Sequence, residues 1–283
     1  LDYPILEDLI KEGMTDYVAM PLHFSDGHIN ALTLATDRPG GFTTSDLGQI
    51  YEALPLLSRL FEVHALKRTT KSLMTTYLGE RTSDLVLGGK IKRGDGESVP
   101  AVIFYADLRG STALAAELGR KDYLRSLNAF FEAVAGQVME EGGEVLKFIG
   151  DAVLAIFPIT ECEIRTSAAC QSALNAALGA LRQIEGLQAE FDLPRPLTAG
   201  IALHKGEVTY GNVGSRQRLD FTVVGSAANE VARIADLCKV LQRPLLFSGK
   251  VAPYLEQETR SLGEHELRGT SKSHEIFTLL SQD

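Results

Sequence analysis

The chain has 283 residues, 45% of them hydrophobic and 23% charged, which is enough for one large packed domain or two smaller ones. A formal charge of -9 argues against a general nucleic-acid binder, since counterion release needs clustered Lys and Arg, and it suits a protein that collects divalent cations. No apolar run reaches the ~18 residues of a membrane span. Cys162, Cys170 and Cys238 show no CxxC spacing, so a reduced, cytoplasmic protein without a disulfide framework or zinc site is expected.

Residue 1 begins within a pattern and follows no charged leader, so the chain is expected to be a piece of a longer one. Residues 17–35, YVAMPLHFSDGHINALTLA, predict two strands around a turn at Ser25-Asp26-Gly27, with a second break at Pro39-Gly40-Gly41. A helix is predicted from 44 to about 79. Its Leu47, Ile50, Leu54, Leu57 and Phe61 alternate steps of three and four, a short heptad seam that suits a second copy or ordinary packing equally. LGGKIKRGDGES, residues 87–98, reads as a linker.

Beyond the linker, strands and helices alternate. VPAVIFYAD (99–107) predicts a central strand, and residues 120–141 an amphipathic helix with Leu124, Leu127, Phe131, Val134 and Val138 on its apolar face. EVLKFIG and AVLAIFP predict two strands around a tight turn at Gly150-Asp151. A helix over 161–186 follows, then strands at 197–204, 207–213, 219–224, 244–247 and 274–280, with a helix at 226–240. The sum is an α+β fold with helices packed on a mostly antiparallel sheet.

Within the apolar stretch EVLKFIGDAVLAIFP, Lys147 and Asp151 need partners, because isolated charges are costly to bury. Asp107 ends the 99–107 strand. If the hairpin pairs beside that strand, Asp107 and Asp151 meet at one end of the sheet, and two close carboxylates share a proton or bind metal. Mg²⁺ favours one or two carboxylates together with phosphate oxygens. Directly after Asp107 comes LRGST, where Gly110 lets a phosphate approach the backbone and Ser111 or Thr112 is expected to cap a helix. On the 226–240 helix, Val231, Ile234, Cys238 and Leu241 form the expected buried stripe. Asn229 and Arg233 share the opposite side, at a spacing that an ordinary solvated face would also show.

Taken together, FYADLRGST, EVLKFIGDAVLAIFP, DFTVVGSAANEVARIADL and LRGTSKSHEIFTL resemble, in order and spacing, the class III nucleotidyl cyclase catalytic domain over roughly residues 98–280. The resemblance implies a ferredoxin-like α+β core, an obligate head-to-tail homodimer, and sites built between the two chains. It implies an adenylate cyclase that converts ATP to 3′,5′-cyclic AMP and pyrophosphate. By it, Asp107 and Asp151 match the ligands of two divalent ions, Mg²⁺ or Mn²⁺. Lys147 and Thr222 match the pair that reads adenine, Asn229 the residue that orients the ribose, and Arg233 the one that stabilises the α-phosphate. Leu108, Arg109, Gly110, Ser111, Thr112 and Arg268 match positions that hold phosphates. Guanylyl members generally carry Glu and Cys at the base-reading positions. Thr222 resembles the subgroup in which some enzymes respond to bicarbonate.

The sequence departs from the family pattern at Ala228, and at Glu230-Val231, where small or apolar residues are common; Gly142-Gly143-Glu144 lacks the rest of a diguanylate cyclase hairpin. Two other functions fit the same resemblance: a nucleotide-binding regulatory module that has lost turnover, and a guanylate cyclase. More weakly, residues 1–65 resemble the C-terminal part of a GAF-type sensor, itself a small α/β segment. The expected organisation is therefore a partial sensor at 1–65, a connecting helix and linker at 66–97, and a catalytic domain at 98–283.

Overall fold

The computed structural model describes residues 4–159, 163–191, 196–268 and 273–280, and the chain divides into two compact units, Leu1–Thr76 and Tyr77–Asp283. Cys162 lies outside the described residues. No helix among the described residues is long and apolar enough to cross a membrane.

The first unit opens with α1 (Pro4–Lys11), followed by the antiparallel hairpin β1 (Asp16–His23) and β2 (Ile29–Thr36). The hairpin turn forms where Ser25-Asp26-Gly27 predicts it: the Phe24 N–H donates to the His28 carbonyl (3.0 Å), and the His28 N–H donates to Asp26 Oδ1 (2.9 Å). The long helix α2 (Thr44–Leu78) starts with a reciprocal cap. The Asp46 carboxylate accepts from the Thr43 N–H (2.8 Å), and the Thr43 hydroxyl accepts from the Asp46 N–H (3.1 Å). Its buried residues are Leu54, Ser58 and Glu62, and the Glu62 carboxylate accepts from the Ser25 N–H at 3.0 Å. The Leu54 side of the helix therefore faces the chain's own hairpin, whereas Leu56, Leu60 and Val63 are exposed.

The second unit starts with α3 (Glu80–Leu87) and is built on an eight-stranded sheet. Its strands are β3 (Gly96–Leu108), β4 (Glu144–Ile149), β5 (Ala152–Pro158), β6 (Ala199–Gly214), β7 (Leu219–Val224), β8 (Leu245–Ser248), β9 (Thr259–Glu266) and β10 (Ser273–Leu279). They lie in the order β4-β5-β3-β6-β8-β10-β9, with β7 on the far half of β6. Every pairing is antiparallel except β6 with β8. The helices are α4 (Ser111–Glu117), α5 (Arg120–Glu140), α6 (Glu163–Phe191) and α7 (Ser226–Val240).

Alternation along β3 makes two cores. Val102, Phe104, Ala106 and Leu108 pack with Phe130, Val134 and Val138 of α5 and with Cys170, Leu174 and Ala177 of α6. Val99, Ala101 and Ile103 face the other way, beneath Val231, Ile234 and Cys238 of α7. Each fully buried large apolar side chain contributes roughly 1.5–3 kcal/mol, so α7 is seated firmly on the face opposite α5 and α6.

Several expectations need correction. The two strands expected at 197–204 and 207–213 are one, because Lys205 and Gly206 stay paired with Val102 and Ala101 of β3. Gly206 serves close packing and not a turn: a Cβ there would meet the Ala227 Cβ of α7 at 2.5 Å. The linker expected to run to residue 98 ends earlier, since residues 96–98 pair with residues 209–211 at the extended end of β6. On α5 the buried face is rotated from the expected one, with Phe130 fully buried and Leu124 45% exposed. β9 was not expected: TRSLGEHE is a polar edge strand that lacks apolar alternation.

Candidate active site

Asp107 reaches its position as the penultimate residue of β3, facing the α7 side like the other odd-numbered residues of that strand. Ala152 lies opposite it on β5, and the Leu108 N–H donates to the Asp151 carbonyl at 3.2 Å, which ties the β4–β5 turn to the end of β3. The two carboxylates thus come together as expected. Burial pushes the Asp107 carboxyl up to about 6, and the charges of Asp151 and Asp236 add to the rise against the opposing pull of Arg109. Asp236 was not anticipated. It sits one turn past Arg233 on α7, and the ARIAD run holds its only signal in the sequence. Among the described residues, no group of three or more His, Cys, Asp or Glu side chains is placed to hold a metal. A half-buried carboxylate pair short of counter-charge still fits divalent ions that take their remaining ligands from phosphate and water.

Lys147 projects from β4, and its ammonium pairs with the Asp220 carboxylate on β7. Thr222 lies two residues further along β7, hence on the same face as Asp220. Asp220 is a second residue that sequence reasoning missed. Its i, i+2 relation to Thr222 within a predicted strand was the available signal.

Asn229 and Arg233 are both exposed on α7. The Arg233 guanidinium lies 3.6 Å from Asp236, which places it beside the carboxylate whose field reaches Asp107. The LRGST segment is less open than expected. The Leu108 side chain is buried in the core, the Arg109 N–H donates to the Thr198 carbonyl (2.8 Å), and the Arg109 guanidinium donates to the Arg243 carbonyl. Gly110, in the left-handed conformation at φ 68°, occupies the cap position of α4, and no side chain caps that helix. The expectation that Ser111 or Thr112 would cap it is therefore corrected: both fall inside the helix. Arg268 is exposed after β9.

Comparison with known proteins bears on the same segments. The adenylate and guanylate cyclase catalytic domain family matches residues 96–281, which include every residue placed above. The chain belongs to this family. An uncharacterized protein of Mycobacterium tuberculosis is 33% identical to this cyclase domain and its flank over 207 residues, covering 72% of the chain and 36% of that protein. A bacterial light-regulated adenylyl cyclase is 29% identical with a TM-score of 0.54, covering 65% of the chain and 91% of that structure. The guanylyl cyclase Cya2 is 26% identical with a TM-score of 0.54, covering 65% and 93%. The chain thus spans about a third of the length of the curated relatives it matches. Relatives named for either base lie at similar distances, so base choice in this cyclase domain turns on its own side chains. Cys170 and Cys238 are buried free thiols, pushed up by burial to about 11 and about 12, which makes them packing residues and not nucleophiles.

Proposed function

We propose that the domain is an adenylate cyclase acting as a homodimer, with Asp107 and Asp151 of one chain facing Lys147, Thr222, Asn229 and Arg233 of its partner. The observation that carries this reading is the pairing of a half-buried carboxylate couple with a separate basic and polar set that faces solvent. When bound, the two divalent ions would activate the ribose 3′-hydroxyl and neutralise the triphosphate. The 3′-oxygen forms a bond to the α-phosphorus, its proton passes to water, and the bond to the bridging oxygen breaks as pyrophosphate leaves. Arg233 donates to the equatorial oxygens, where charge gathers, and Asn229 holds the ribose.

Adenine presents an acceptor at N1 and a donor at N6, which complement a lysine donor and the Thr222 hydroxyl as acceptor. Guanine reverses that pattern. Asp220 beside Lys147 holds the ammonium in place until a base arrives. Gly110, Ser111 and Thr112, together with Arg268, are assigned to the phosphates, and bicarbonate responsiveness goes with the Thr222 resemblance.

Assay of cyclic nucleotide formation from ATP and from GTP, with Mg²⁺ and with Mn²⁺, tests the assignment. Metal-dependent cyclic AMP is expected, and Lys147→Ala is expected to lower kcat/KM for ATP by about tenfold to a hundredfold, the worth of one or two polar contacts to the base. A wild-type protein that binds ATP and turns over neither nucleotide would instead be a regulatory module. Preferential cyclic GMP would make it a guanylate cyclase.

We also assign residues 1–65 to the end of a sensor coupled to the catalyst through α2. In the structure α3 belongs to the catalytic unit, since Thr82 is buried and bonds to Tyr210 of β6. A chain beginning at Tyr77 is therefore expected to fold but to lose part of its dimerisation and activity. Undiminished activity and dimer affinity, measured by sedimentation, would remove the coupling role.

A further inference from the structure

Beneath α7 lies a polar cluster that the site described above does not use. Oε2 of Glu230, whose side chain is 12% exposed, is 3.0 Å from Nε2 of His204, 3.8 Å from Nε2 of His274 and 4.0 Å from Nζ of Lys250. His204 belongs to β6, Lys250 follows β8 and His274 belongs to β10, so one carboxylate on α7 meets three parts of the sheet. His204 is fully buried, and its Nδ1 lies 2.9 Å from the Ser248 hydroxyl of β8. Burial, reinforced by the Lys250 charge, pulls His204 down to about 4, so its ring is neutral near pH 7. A neutral imidazole offers one donor and one acceptor. With the Ser248 hydroxyl donating to Nδ1, the proton sits on Nε2 and faces Glu230, while Lys250 supplies the counter-charge. Among the described residues neither His204 Nε2 nor Glu230 Oε2 makes a well-angled hydrogen bond, so the contacts within this cluster are the polar surroundings of both atoms.

Such a group adds little stability over an apolar side chain of its size, because desolvating the charge offsets the attraction gained. It does fix a geometry. The apolar stripe of α7 seats the helix through non-directional burial, and the Glu230 carboxylate, within 4.0 Å of three cationic or polar side chains on or beside the sheet, adds a directional constraint on its rotation. Glu230 directly follows Asn229 and precedes Arg233 by three residues.

We propose that Glu230 is a positioning residue, whose contacts with His204, His274 and Lys250 set the rotation and axial position of the first two turns of α7 and so aim Asn229 and Arg233. The inference rests on the roles given above to Asn229 and Arg233.

The test compares Glu230→Ala and Glu230→Gln with wild type in cyclase kinetics, thermal unfolding and amide hydrogen exchange. Glu230→Ala is expected to lower kcat about tenfold to a hundredfold, the usual effect of misplacing groups by about 1 Å, with KM changed less than about threefold. Exchange over residues 226–234 should quicken while α5 stays protected. Glu230→Gln, which keeps an acceptor for His204, should recover most of kcat. A folded Glu230→Ala variant with wild-type kcat and a lower Tm would show a merely structural role and overturn the proposal. Should wild type itself make no cyclic nucleotide, the enzymatic assignment fails, and unchanged α7 protection in the variant then overturns the anchor independently. If Glu230→Ala does not fold, Lys250→Gln, at a more exposed partner, carries the same readouts.

Discussion

Replacing Asp107 with Asn is expected to abolish metal-dependent cyclic nucleotide formation, by at least about a thousandfold, while making the metal-free protein more stable. The stability half follows from the sign of the pKa shift. Burial, with Asp151 and Asp236 nearby, raises the Asp107 carboxyl from 3.8 to about 6 in the folded chain. A carboxyl whose folded value lies above its unfolded one is an ionised liability. The penalty is absent below the unfolded value, grows as pH rises between the two values, and is complete above about 6. At pH 7.5 Asn removes it, a gain of about 1–2 kcal/mol after allowing for solvent screening. That corresponds to a rise in Tm of a few degrees for a unit of this size. Melting curves at pH 7.5 and pH 4.5 check this: the advantage of the variant should shrink at the lower pH. Mn²⁺ should raise the Tm of wild type and not of the variant, because only wild type keeps the proposed metal ligand. An Asp107→Asn protein that melts below wild type at pH 7.5 would mean the carboxylate is held by favourable contacts and is no metal site in waiting.

Mixing two inactive chains, Asp107→Asn and Arg233→Ala, is expected to restore activity to roughly a quarter of wild type. In a two-fold symmetric dimer random assortment makes half the dimers mixed, and each mixed dimer holds one intact site of two. Each variant alone should be nearly inactive. Removing a guanidinium aimed at charge that develops in the transition state costs on the order of 10²–10³ in kcat. Arg233 is half-exposed and pairs with Asp236 on its own helix, so its loss should cost little in folding. The check is turnover against mixing ratio, with mixed dimers counted by a tag on one chain. Mixed dimers that form and stay inactive would place Asp107 and Arg233 in the same chain's site. A same-chain site would have its own rationale, since Asp236 brings the Arg233 turn of α7 within electrostatic range of Asp107, and the mixing experiment separates the two arrangements.

The amino-acid sequence by itself determined most of the element pattern and named the candidate site positions. Apolar runs such as VPAVIFYAD and AVLAIFP read as buried strands, and the tight turn at Gly150-Asp151 puts Asp151 at one tip of a hairpin, which the pairing of β5 with β3 then carries to the end of β3. The 3.6-residue period of 226–240 likewise places Asn229 and Arg233 opposite Val231 and Ile234. Where the sequence misled, long-range packing prevailed over local signals. Gly206 looks like a strand break and is a contact point for Ala227, and LRGST looks like a capped phosphate loop although Arg109 is turned to the Arg243 carbonyl. The partners of the site were legible only in three dimensions. Asp220 beside Lys147, Asp236 near Asp107, and His204, Lys250 and His274 around Glu230 are separated by tens of residues in the chain. Period and spacing report which face a residue occupies, because they follow from backbone geometry over one or two turns. Which charge meets which is decided by sheet order and helix seating, and those are fixed only when the whole core closes.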